Sequence, residues 1–433
     1  MKKRVIISIF VIIILISTIF LSACNGSSGS GGASGPGSSN GTSGSGDEIT
    51  LTFLRLANDE AETAFWADVI ASYQDKNPNV KIEYDNAAIG DDMDVKLTSL
   101  FAANSGPDIV GHGIMSIAGR VNMGHYTPIT DYFNNWEGRD DIFSQLVDLG
   151  TFNNEIYGIA YQPTPYVFAY RTDLLNEAGF DRPPETWEEL AEYARALTVT
   201  ENGRITRAGF AFPASAGNFV EYDVFAYGNG GGFVDNNGDP TMDLNQNIEA
   251  LDFLASFIYE VSLEFNANET NPFLTGNAAM TLIDNIRLTP MFSVEEYEGK
   301  IGISLPPSNA GQRRMTFSGC RLLFIGKDCQ NRDAAFDFIA YAVSKEVIEK
   351  RSVDLNVPVV RASLADMFAA KDPFNAVRVA CVENGIGMPI ATWASMFQRV
   401  RNEAVQRMWH GDDSTIILNE AQDKLLAEIA AAG

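Results

Sequence analysis

The folded part of the chain opens with an alternating pattern in ITLTFLR (49–55), where the first, third and fifth positions are apolar. This is the period of a strand with one buried face. Residues 60–76 then carry apolar side chains at helical spacing, and residues 80–84 alternate again. A helix over about 92–104 and a short apolar strand at 107–110 complete the series. The order strand, helix, strand, helix, strand predicts a parallel sheet with helices on both faces.

A second unit begins near residue 160, and its clearest element is a helix in TWEELAEYARAL. Thr186 can cap this helix, and Glu189, three residues later, can complete a capping box. Apolar residues at helical spacing from Trp187 onward form one stripe, which predicts a buried face. The same periodicity predicts further elements: a strand at 320–326 and helices at about 332–350, 394–409 and 415–430.

Tryptophans and the later cysteines are predicted to be interior residues. Four tryptophans at helical or amphipathic spacing are expected in the core: Trp66, Trp136, Trp187 and Trp409. Three cysteines follow Cys24, an odd number that argues against a disulfide framework. Cys320 lies in the predicted strand and Cys329 beyond its end, so these two are too far apart for a bridge. We predict unpaired, buried thiols at Cys320, Cys329 and Cys381.

The first 24 residues have the pattern of an exported protein. Lys2, Lys3 and Arg4 precede an apolar run at 5–21, which is typical of a secretory signal. Leu21-Ser22-Ala23-Cys24 resembles a bacterial lipobox, in which the cysteine receives a lipid and becomes the new N-terminus. We therefore predict a signal peptide at 1–23 and lipidation of Cys24. The alternative is an uncleaved transmembrane anchor, because an apolar run of this length approaches a bilayer span.

Residues 24–46 are predicted to form a flexible tether behind the lipid. Of the 22 residues from 25 to 46, 9 are glycine and 8 are serine, and none is charged. Such a segment has too little apolar surface to offset its ordering entropy. Its end-to-end distance is roughly 25 Å on the scaling for glycine-rich chains. The remaining residues, 47–433, are enough for two domains with good cores.

Composition and charge narrow the classes of partner. The hydrophobic fraction of 45% and the charged fraction of 20% are ordinary for a soluble globular protein. The net charge is −25, and loss of the three basic residues of the leader makes it −28. This field repels nucleic acid and anionic membrane surfaces. It also disfavours anionic solutes, unless a local cluster of arginine or lysine overrides it.

The sequence lacks the common signatures of metal and catalytic sites. Its three histidines, His112, His125 and His410, have no partner at metal-ligand spacing, and HExxH, CxxC and P-loop motifs are absent. One G-x-S-x-G lies in the tether, where no strained turn can hold it. The acidic loop 235–239 resembles a calcium loop but lacks the required glycine and the closing glutamate. We expect no metal, no cofactor and no catalytic residue.

Several motifs resemble the extracellular solute-binding proteins of carbohydrate ABC importers. The stretch YGIAYQPTPYVFAYRTDLLNEAGFDRPPETWEELAEYARAL, which begins at Tyr157, is the most extensive match. It departs from the family pattern in carrying Ala160 for the usual proline and Arg171-Thr172-Asp173 for Asn-Lys-Asp. The other matches are SGPDIV (105–110), FLTGNAAM (273–280) and NRDAAFDFIAYAVSKE (331–346).

The resemblance implies an α/β fold of the two-lobed, periplasmic-binding-protein-like type II class. Its lobes are discontinuous in sequence, joined by hinge strands, with the ligand in the central cleft. Carried onto this chain, the first lobe covers 47–161 and 316–372, and the second covers 162–315 and 373–433. Closure around the ligand is a hinge motion, and the importer recognises the closed form.

A sugar site needs aromatic faces for C–H surfaces and planar polar groups for hydroxyls. Asn58, Asp59 and Glu60 directly follow the first strand and suit hydroxyl binding, although Asn58 or Asp59 can equally cap the next helix. His112 is a candidate contact after the PDIV strand, or a plain loop histidine. The resemblance implies further cleft positions: Tyr161, Gln162, Tyr166, Asn218, Phe219, Tyr222, Asp284, Asn285, Ser318, Arg321 and Trp393.

These observations favour a lipid-anchored, outward-facing, monomeric receptor that captures a carbohydrate, catalyses nothing and delivers its ligand to the permease of an ABC importer. A receptor for another solute, such as a polyamine or a polyol phosphate, is the alternative on the same fold. The negative charge makes the phosphate ester the weaker of the two. A surface-anchored glycoside hydrolase is a different class, and it needs a pair of carboxylates that no motif marks.

Overall fold

The computed structural model describes residues 48–56, 60–87, 91–114, 117–214, 219–266 and 269–432. The predicted signal peptide, Cys24 and the tether lie outside these residues. So do three candidate ligand contacts, Asn58, Asp59 and Asn218.

Strands and helices alternate along the described chain. The strands are β1 (Ile49–Leu56), β2 (Val80–Ala87), β3 (Ile109–Gly113), β4 (Tyr126–Thr127), β5 (Thr151–Phe152), β6 (Glu155–Ile156), β7 (Gly158–Arg171), β8 (Val199–Glu201), β9 (Arg204–Arg207), β10 (Met280–Asp284), β11 (Ile301–Ser304), β12 (Thr316–Gly326) and β13 (Gly385–Ile386).

The helices are α1 (Glu60–Lys76), α2 (Asp91–Ala102), α3 (Ile117–Asn122), α4 (Thr130–Asn135), α5 (Ser144–Asp148), α6 (Thr172–Glu177), α7 (Trp187–Leu197), α8 (Val220–Tyr227), α9 (Asn245–Ala255), α10 (Ile258–Val261), α11 (Asn285–Leu288), α12 (Arg332–Ala342), α13 (Lys345–Asp354), α14 (Ala365–Ala369), α15 (Pro373–Glu383), α16 (Ala394–Trp409) and α17 (Ser414–Ala432). Short 3₁₀ turns occur at Arg139–Asp141, Pro272–Thr275, Thr289–Ser293, Glu295–Tyr297 and Ala362–Leu364.

The main sheet has the strand order β10-β7-β12-β3-β1-β2. Strand β1 pairs in parallel with β2 and β3, which confirms the parallel arrangement predicted from the first five elements. The sheet becomes mixed beyond β3, because β12 runs antiparallel to both β3 and β7. The later strands therefore return across the molecule instead of extending the β-α-β series.

Strand β7 changes partners along its length and so joins two parts of the molecule. Its residues 158–165 pair with β12, whereas residues 166–171 pair with β10 and β11. Pro163 and Pro165 lie in the first part, where each removes a backbone N–H donor. We call the place where β7 leaves β12 the strand crossing, defined by Pro165 and Tyr166.

Buried apolar residues form four clusters in the described part of the chain, and they build two cores that matter for the site. The first core surrounds β1 and β3 and includes Phe53, Trp66 and Leu322. The second core is built around α7, α8, α9 and α16, and it includes Phe168 and Trp187. Trp66 and Trp187 are buried, as predicted, and Trp136 and Trp409 are partly buried against the edges of these cores.

The single helix predicted over 332–350 is wrong, because the structure has two helices there, α12 and α13. Between them Ser344 has an extended backbone, and its hydroxyl accepts a hydrogen bond from Val347 N at 3.3 Å. A serine at this position accepts a hydrogen bond from a free N–H of the second helix. It therefore favours the start of a second helix over continuation of the first. The apolar spacing continues across the break, which is why periodicity alone missed it.

The cysteine prediction is confirmed. Cys320, Cys329 and Cys381 are free and buried. Burial raises the pKa of each thiol to about 12, so all three are protonated at neutral pH. A protonated, buried thiol is a poor nucleophile and metal ligand, and these residues act as small core side chains.

Helix α7 begins with the predicted Thr186 cap, but the return bond of the predicted capping box goes to Glu185 N instead of Thr186 N. Thr186 Oγ1 accepts a hydrogen bond from Glu189 N at 3.2 Å, and the Glu189 carboxylate accepts one from Glu185 N at 2.8 Å. Replacing Thr186 by alanine should lower the free energy of unfolding by about 1 kcal/mol, because one helical N–H loses its partner. Urea titration measures the change. The exposed Thr415→Ala in α17 serves as the control, and equal unfolding midpoints for the two variants would contradict the role of the cap.

Candidate functional site

Polar side chains hold the strand crossing in place. Asn285 Nδ2 donates a hydrogen bond to Pro165 O at 3.1 Å, and Thr316 Oγ1 donates one to Tyr166 O at 2.8 Å. Asp284 at the end of β10 is the registered partner of Tyr166. The end of β10, the middle of β7 and the start of β12 therefore meet at one place.

A buried cluster of three arginines and one glutamate lies next to the crossing. Glu62 on α1 contacts Arg55 Nη1 at 2.7 Å and Arg321 Nη1 at 3.0 Å, and it also pairs with Arg351. Burial by itself would raise the pKa of Glu62, but the three guanidinium charges hold the pKa below its usual value. Glu62 is therefore ionised at neutral pH, in the middle of the cluster.

Aromatic rings and a backbone carbonyl support the two innermost arginines. The Arg351 guanidinium lies 5.1 Å from the ring centroid of Tyr161 and 5.2 Å from that of Phe65. Arg55 donates to Tyr84 Oη at 3.0 Å and to Leu56 O at 2.9 Å. These contacts offset part of the cost of burying a charge.

The cluster orients Gln162, one of the predicted ligand contacts. Arg351 Nη2 donates to the Gln162 side chain at 2.7 Å. Because a guanidinium only donates, the atom that it contacts must be the amide oxygen. The Gln162 amide nitrogen therefore points elsewhere as a hydrogen-bond donor.

Carboxylates from the second core approach the crossing from the other side. Asp223 on α8 pairs with Arg401 on α16, and both side chains are fully buried. Burial raises the pKa of Glu221, its neighbour on α8, to about 7. Burial also raises the pKa of Asp284 to about 6, opposed by two backbone N–H groups and by the charges of Arg287 and Arg321. The electrostatic field of Arg321 thus reaches across to Asp284.

His112 lies at the end of β3 in an almost fully buried position. Its Nδ1 accepts a hydrogen bond from Gly113 N at 2.8 Å, and its Nε2 lies 3.7 Å from Asp94 Oδ1. Burial lowers the pKa of His112, with a smaller opposing effect from Asp94. The neutral imidazole therefore carries its proton on Nε2.

Six of the predicted site residues come together at the strand crossing. Gln162 and Arg321 are registered partners in β7 and β12, and Ser318 is the partner of Pro165. Tyr166, Asp284 and Asn285 reach the same place from β7 and from the end of β10. Ligand binding by these six side chains stays a prediction.

Most of the other described candidates lie apart from this group, whereas Tyr161 contacts Arg351 of the cluster. Phe219, Tyr222 and Trp393 belong to the second core, where Tyr222 Oη donates to Asn247 O and Trp393 Nε1 donates to Gly238 O. Tyr161 packs edge-on against Trp66 in the first core, and Glu60 is exposed at the first residue of α1. Trp393 is only 6% exposed, and ligand contact by its side chain stays a prediction.

Sequence reasoning found Arg321 but missed the other three members of the cluster, Arg55, Glu62 and Arg351. Arg55 continues the alternation of β1 at a position whose side chain is buried, which is an available signal for a buried charge. Arg351 follows Val347 and Ile348 on the buried face of α13, and Glu221 stands among apolar residues of α8. A charged residue inside an apolar stripe marks such positions.

Two grooves of the described surface lie away from the predicted contacts. One of about 650 Å³ lies between α4 and α12 and is lined by Tyr132, Trp136 and Phe336. Another, of about 730 Å³, is lined by loops near residues 145–154 and 383–390 and by residues near 227–234 and 313–315. None of the predicted contacts lines either groove.

The described residues contain no candidate metal cluster and no candidate membrane span. Among them, no group of three histidine, cysteine or carboxylate side chains is placed to hold a metal ion. No helix in this part of the chain combines the length and the apolar character that a bilayer span requires.

Comparison with known proteins adds a family. A family model for bacterial extracellular solute-binding proteins matches residues 57–349. A probable ABC transporter-binding protein of Deinococcus radiodurans is 23% identical over 60% of this chain and 64% of its own length. An arabinooligosaccharide-binding protein of Halalkalibacterium halodurans is 24% identical over 52% of this chain and 50% of its own length. The chain thus spans about half to two thirds of these curated relatives.

A solved structure supports the architecture. An ABC transporter solute-binding protein from Thermotoga lettingae, bound with alpha-D-tagatose, superimposes with a TM-score of 0.73 at 21% sequence identity. The match covers 87% of this chain and 98% of that one. This likeness confirms the two-lobed α/β fold that the motifs predict.

Proposed function

This chain belongs to the bacterial extracellular solute-binding protein family, and we propose that it captures a carbohydrate and delivers it to the permease of an ABC importer. The observation that carries the proposal is the meeting of hydrogen-bonding side chains from both sides of the strand crossing. Gln162 and Arg321 offer donors, while Asp284 and the Asn285 Oδ1 atom offer acceptors. Sugar hydroxyls both donate and accept, so a saccharide can satisfy both sets at once.

The relatives favour the same class of ligand. One is named for binding arabinooligosaccharides, and the solved structure holds a monosaccharide. Neither identifies the sugar of this chain, because hydroxyl partners differ between such distant proteins. We propose that the ligand contacts Gln162, Tyr166, Asp284, Asn285 and Arg321 when the lobes close by a hinge motion at β7 and β12.

We further propose that the chain works outside the membrane, tied to it by lipid on Cys24. The lipobox-like sequence and the glycine- and serine-rich stretch at 25–46 support this arrangement. The proposed lobes remain 47–161 with 316–372 and 162–315 with 373–433. We propose that the bound sugar is transported unchanged, since the family consists of binding proteins.

Calorimetric titration of residues 25–433 against mono-, di- and oligosaccharides tests the function, with polyamines as controls. We expect one saccharide class to bind at one site per chain and to be recovered intact. Gln162→Ala should weaken binding roughly 10-fold through loss of a hydrogen bond, while the exposed Gln330→Ala should not. Binding of a polyamine alone would contradict the proposed ligand, and release of free sugar fragments would point to a hydrolase.

A further inference from the structure

Positive charge is in excess in the buried cluster at the strand crossing. Three guanidinium groups surround Glu62, and the described residues place no second carboxylate within ion-pair distance of any of them. Arg55 is 0% exposed and Arg351 2%. Buried charges in proteins are normally paired, because an unpaired charge loses its hydration without compensation. Among the described residues, the cluster therefore has two more cations than carboxylates.

Carboxylates on the other side of the crossing do not neutralise the excess positive charge of the cluster. Asp223 is engaged by Arg401. Burial raises the pKa of Asp284 to about 6 and that of Glu221 to about 7, so Glu221 is only partly ionised at neutral pH. Arg287, exposed on α11, adds a further positive charge to the field at Asp284.

The local excess of positive charge at the cluster is opposite in sign to the net charge of the protein. At a net charge of −25, the protein repels anions at long range. A neutral sugar has no need of a positively charged site. An anionic solute does, because only a local cluster of cations can overcome that repulsion.

Arg321 is the member of the cluster that a ligand can reach. Its side chain is 12% exposed, compared with 0% for Arg55 and 2% for Arg351. It uses Nη1 for Glu62, while Nε and Nη2 make no hydrogen bond to the described residues. Glu62 holds the guanidinium in place, so a second edge is presented in a fixed orientation. The neighbouring Gln162 amide nitrogen adds one more donor on the same side.

We propose that the solute is an acidic saccharide whose carboxylate binds the free edge of Arg321, with the Gln162 amide as an additional donor. This inference rests on the proposed function and specifies its ligand class. A guanidinium edge matches the two oxygens of a carboxylate in a bidentate pair. A carboxylate also carries one charge and suits this acidic protein better than a doubly charged phosphate ester. The sugar hydroxyls then face Asp284 and Asn285.

The test compares matched pairs of neutral and acidic saccharides, such as galactose and galacturonate oligomers of equal length, with sugar phosphates as a third set. Titration uses the unaltered protein, Arg321→Gln, Arg321→Lys and the exposed control Arg204→Gln on β9. In the unaltered protein and the control, the acidic member should bind roughly 10- to 100-fold more tightly than its neutral partner, as expected for a charge-assisted pair. Arg321→Gln should abolish this preference, and Arg321→Lys should retain part of it.

Each outcome decides between distinct conclusions. Equal or tighter binding of neutral sugars by the unaltered protein would overturn the acidic ligand and leave the receptor function intact. Tighter binding of sugar phosphates would overturn the carboxylate in favour of a phosphate. Absence of binding by every saccharide, in protein with a cooperative unfolding transition, would contradict the proposed function itself. The comparison in the unaltered protein is independent of whether Arg321→Gln folds.

Discussion

Replacing Glu62 by glutamine should lower the free energy of unfolding by about 3–5 kcal/mol. Glutamine keeps the shape of the side chain but removes the negative charge that three guanidinium groups share. Arg55 and Arg351 would then stay buried without a carboxylate among their described contacts, and a buried charge that loses its partner is strongly destabilising. Urea denaturation followed by circular dichroism measures the change.

The control for this variant is an ion pair of the same type at the surface. Glu346 pairs with Lys76 at 3.0 Å, and the two side chains are 69% and 51% exposed. Glu346→Gln should change the free energy of unfolding by less than about 1 kcal/mol, because water screens this pair. If Glu62→Gln unfolds at the same urea concentration as Glu346→Gln, the buried cluster is not the source of stability that its geometry indicates.

A double variant tests whether Glu62 and Arg321 belong to one electrostatic network. In the Glu62→Gln variant, Arg321 is a cation without its carboxylate partner. Arg321→Gln should therefore lower the free energy of unfolding less in the Glu62→Gln variant than in the unaltered protein. Residues in direct contact commonly show non-additive effects of about 0.5–3 kcal/mol on the free energy of unfolding. Strict additivity would indicate that the two side chains do not share one electrostatic network.

Replacing Glu221 by glutamine should stabilise the protein above neutral pH. Burial raises the pKa of Glu221 to about 7, with Arg401 and a backbone hydrogen bond only partly opposing it, and the Oε2 atom has no hydrogen-bond partner. Ionising this carboxylate in the folded protein is therefore unfavourable. Glutamine resembles the protonated form and carries no such cost at high pH.

The sign of the pH dependence follows from the two pKa values. The folded-state pKa lies above the ordinary value of 4.5, so the folded protein holds the proton more tightly than the unfolded chain. This contribution is present in full below pH 4.5 and is lost as the pH rises through about 7. The difference between Glu221→Gln and the unaltered protein should be small at pH 4.5 and reach about 3 kcal/mol at pH 8.

Urea titrations at pH 4.5, 6 and 8 measure this difference. Asp223 and Asp284 also have raised pKa values and contribute to the pH dependence of both proteins, so only the difference between them reports on Glu221. The exposed Glu188→Gln on α7 is the control with which the trend for Glu221→Gln is compared. A constant difference for Glu221→Gln across the three pH values would mean that Glu221 is ionised and compensated in the folded state.

Local patterns predicted most of the elements that build the two cores. The alternation of ITLTFLR predicts β1, and the cap at Thr186 places the start of α7 correctly. The helix predicted over 394–409 coincides with α16. The predictions of these elements are correct because periodicity and capping depend on neighbours within a few residues. The prediction of one helix over 332–350 is wrong because the apolar spacing continues without interruption through Ser344. The break there depends on a single hydroxyl, which periodicity does not detect.

The candidate site was predicted only in part. The family motifs led to Gln162, Asp284, Asn285 and Arg321, which the structure brings to the strand crossing. They also led to Tyr222 and Phe219, which lie inside the second core. A motif records which residue type stands at a position, but exposure depends on the elements packed against it.

The sequence by itself determined the local elements, the acidic net charge, the buried thiols and the family to which the chain belongs. Each of these is encoded in residues that are close together in the chain or in composition alone. Only the tertiary structure decided that Arg55, Arg321 and Arg351 share Glu62, since these side chains are brought together from distant parts of the chain. The electrostatic energy of a buried charge depends on the groups within a few ångströms, and those groups are known only when the chain has folded.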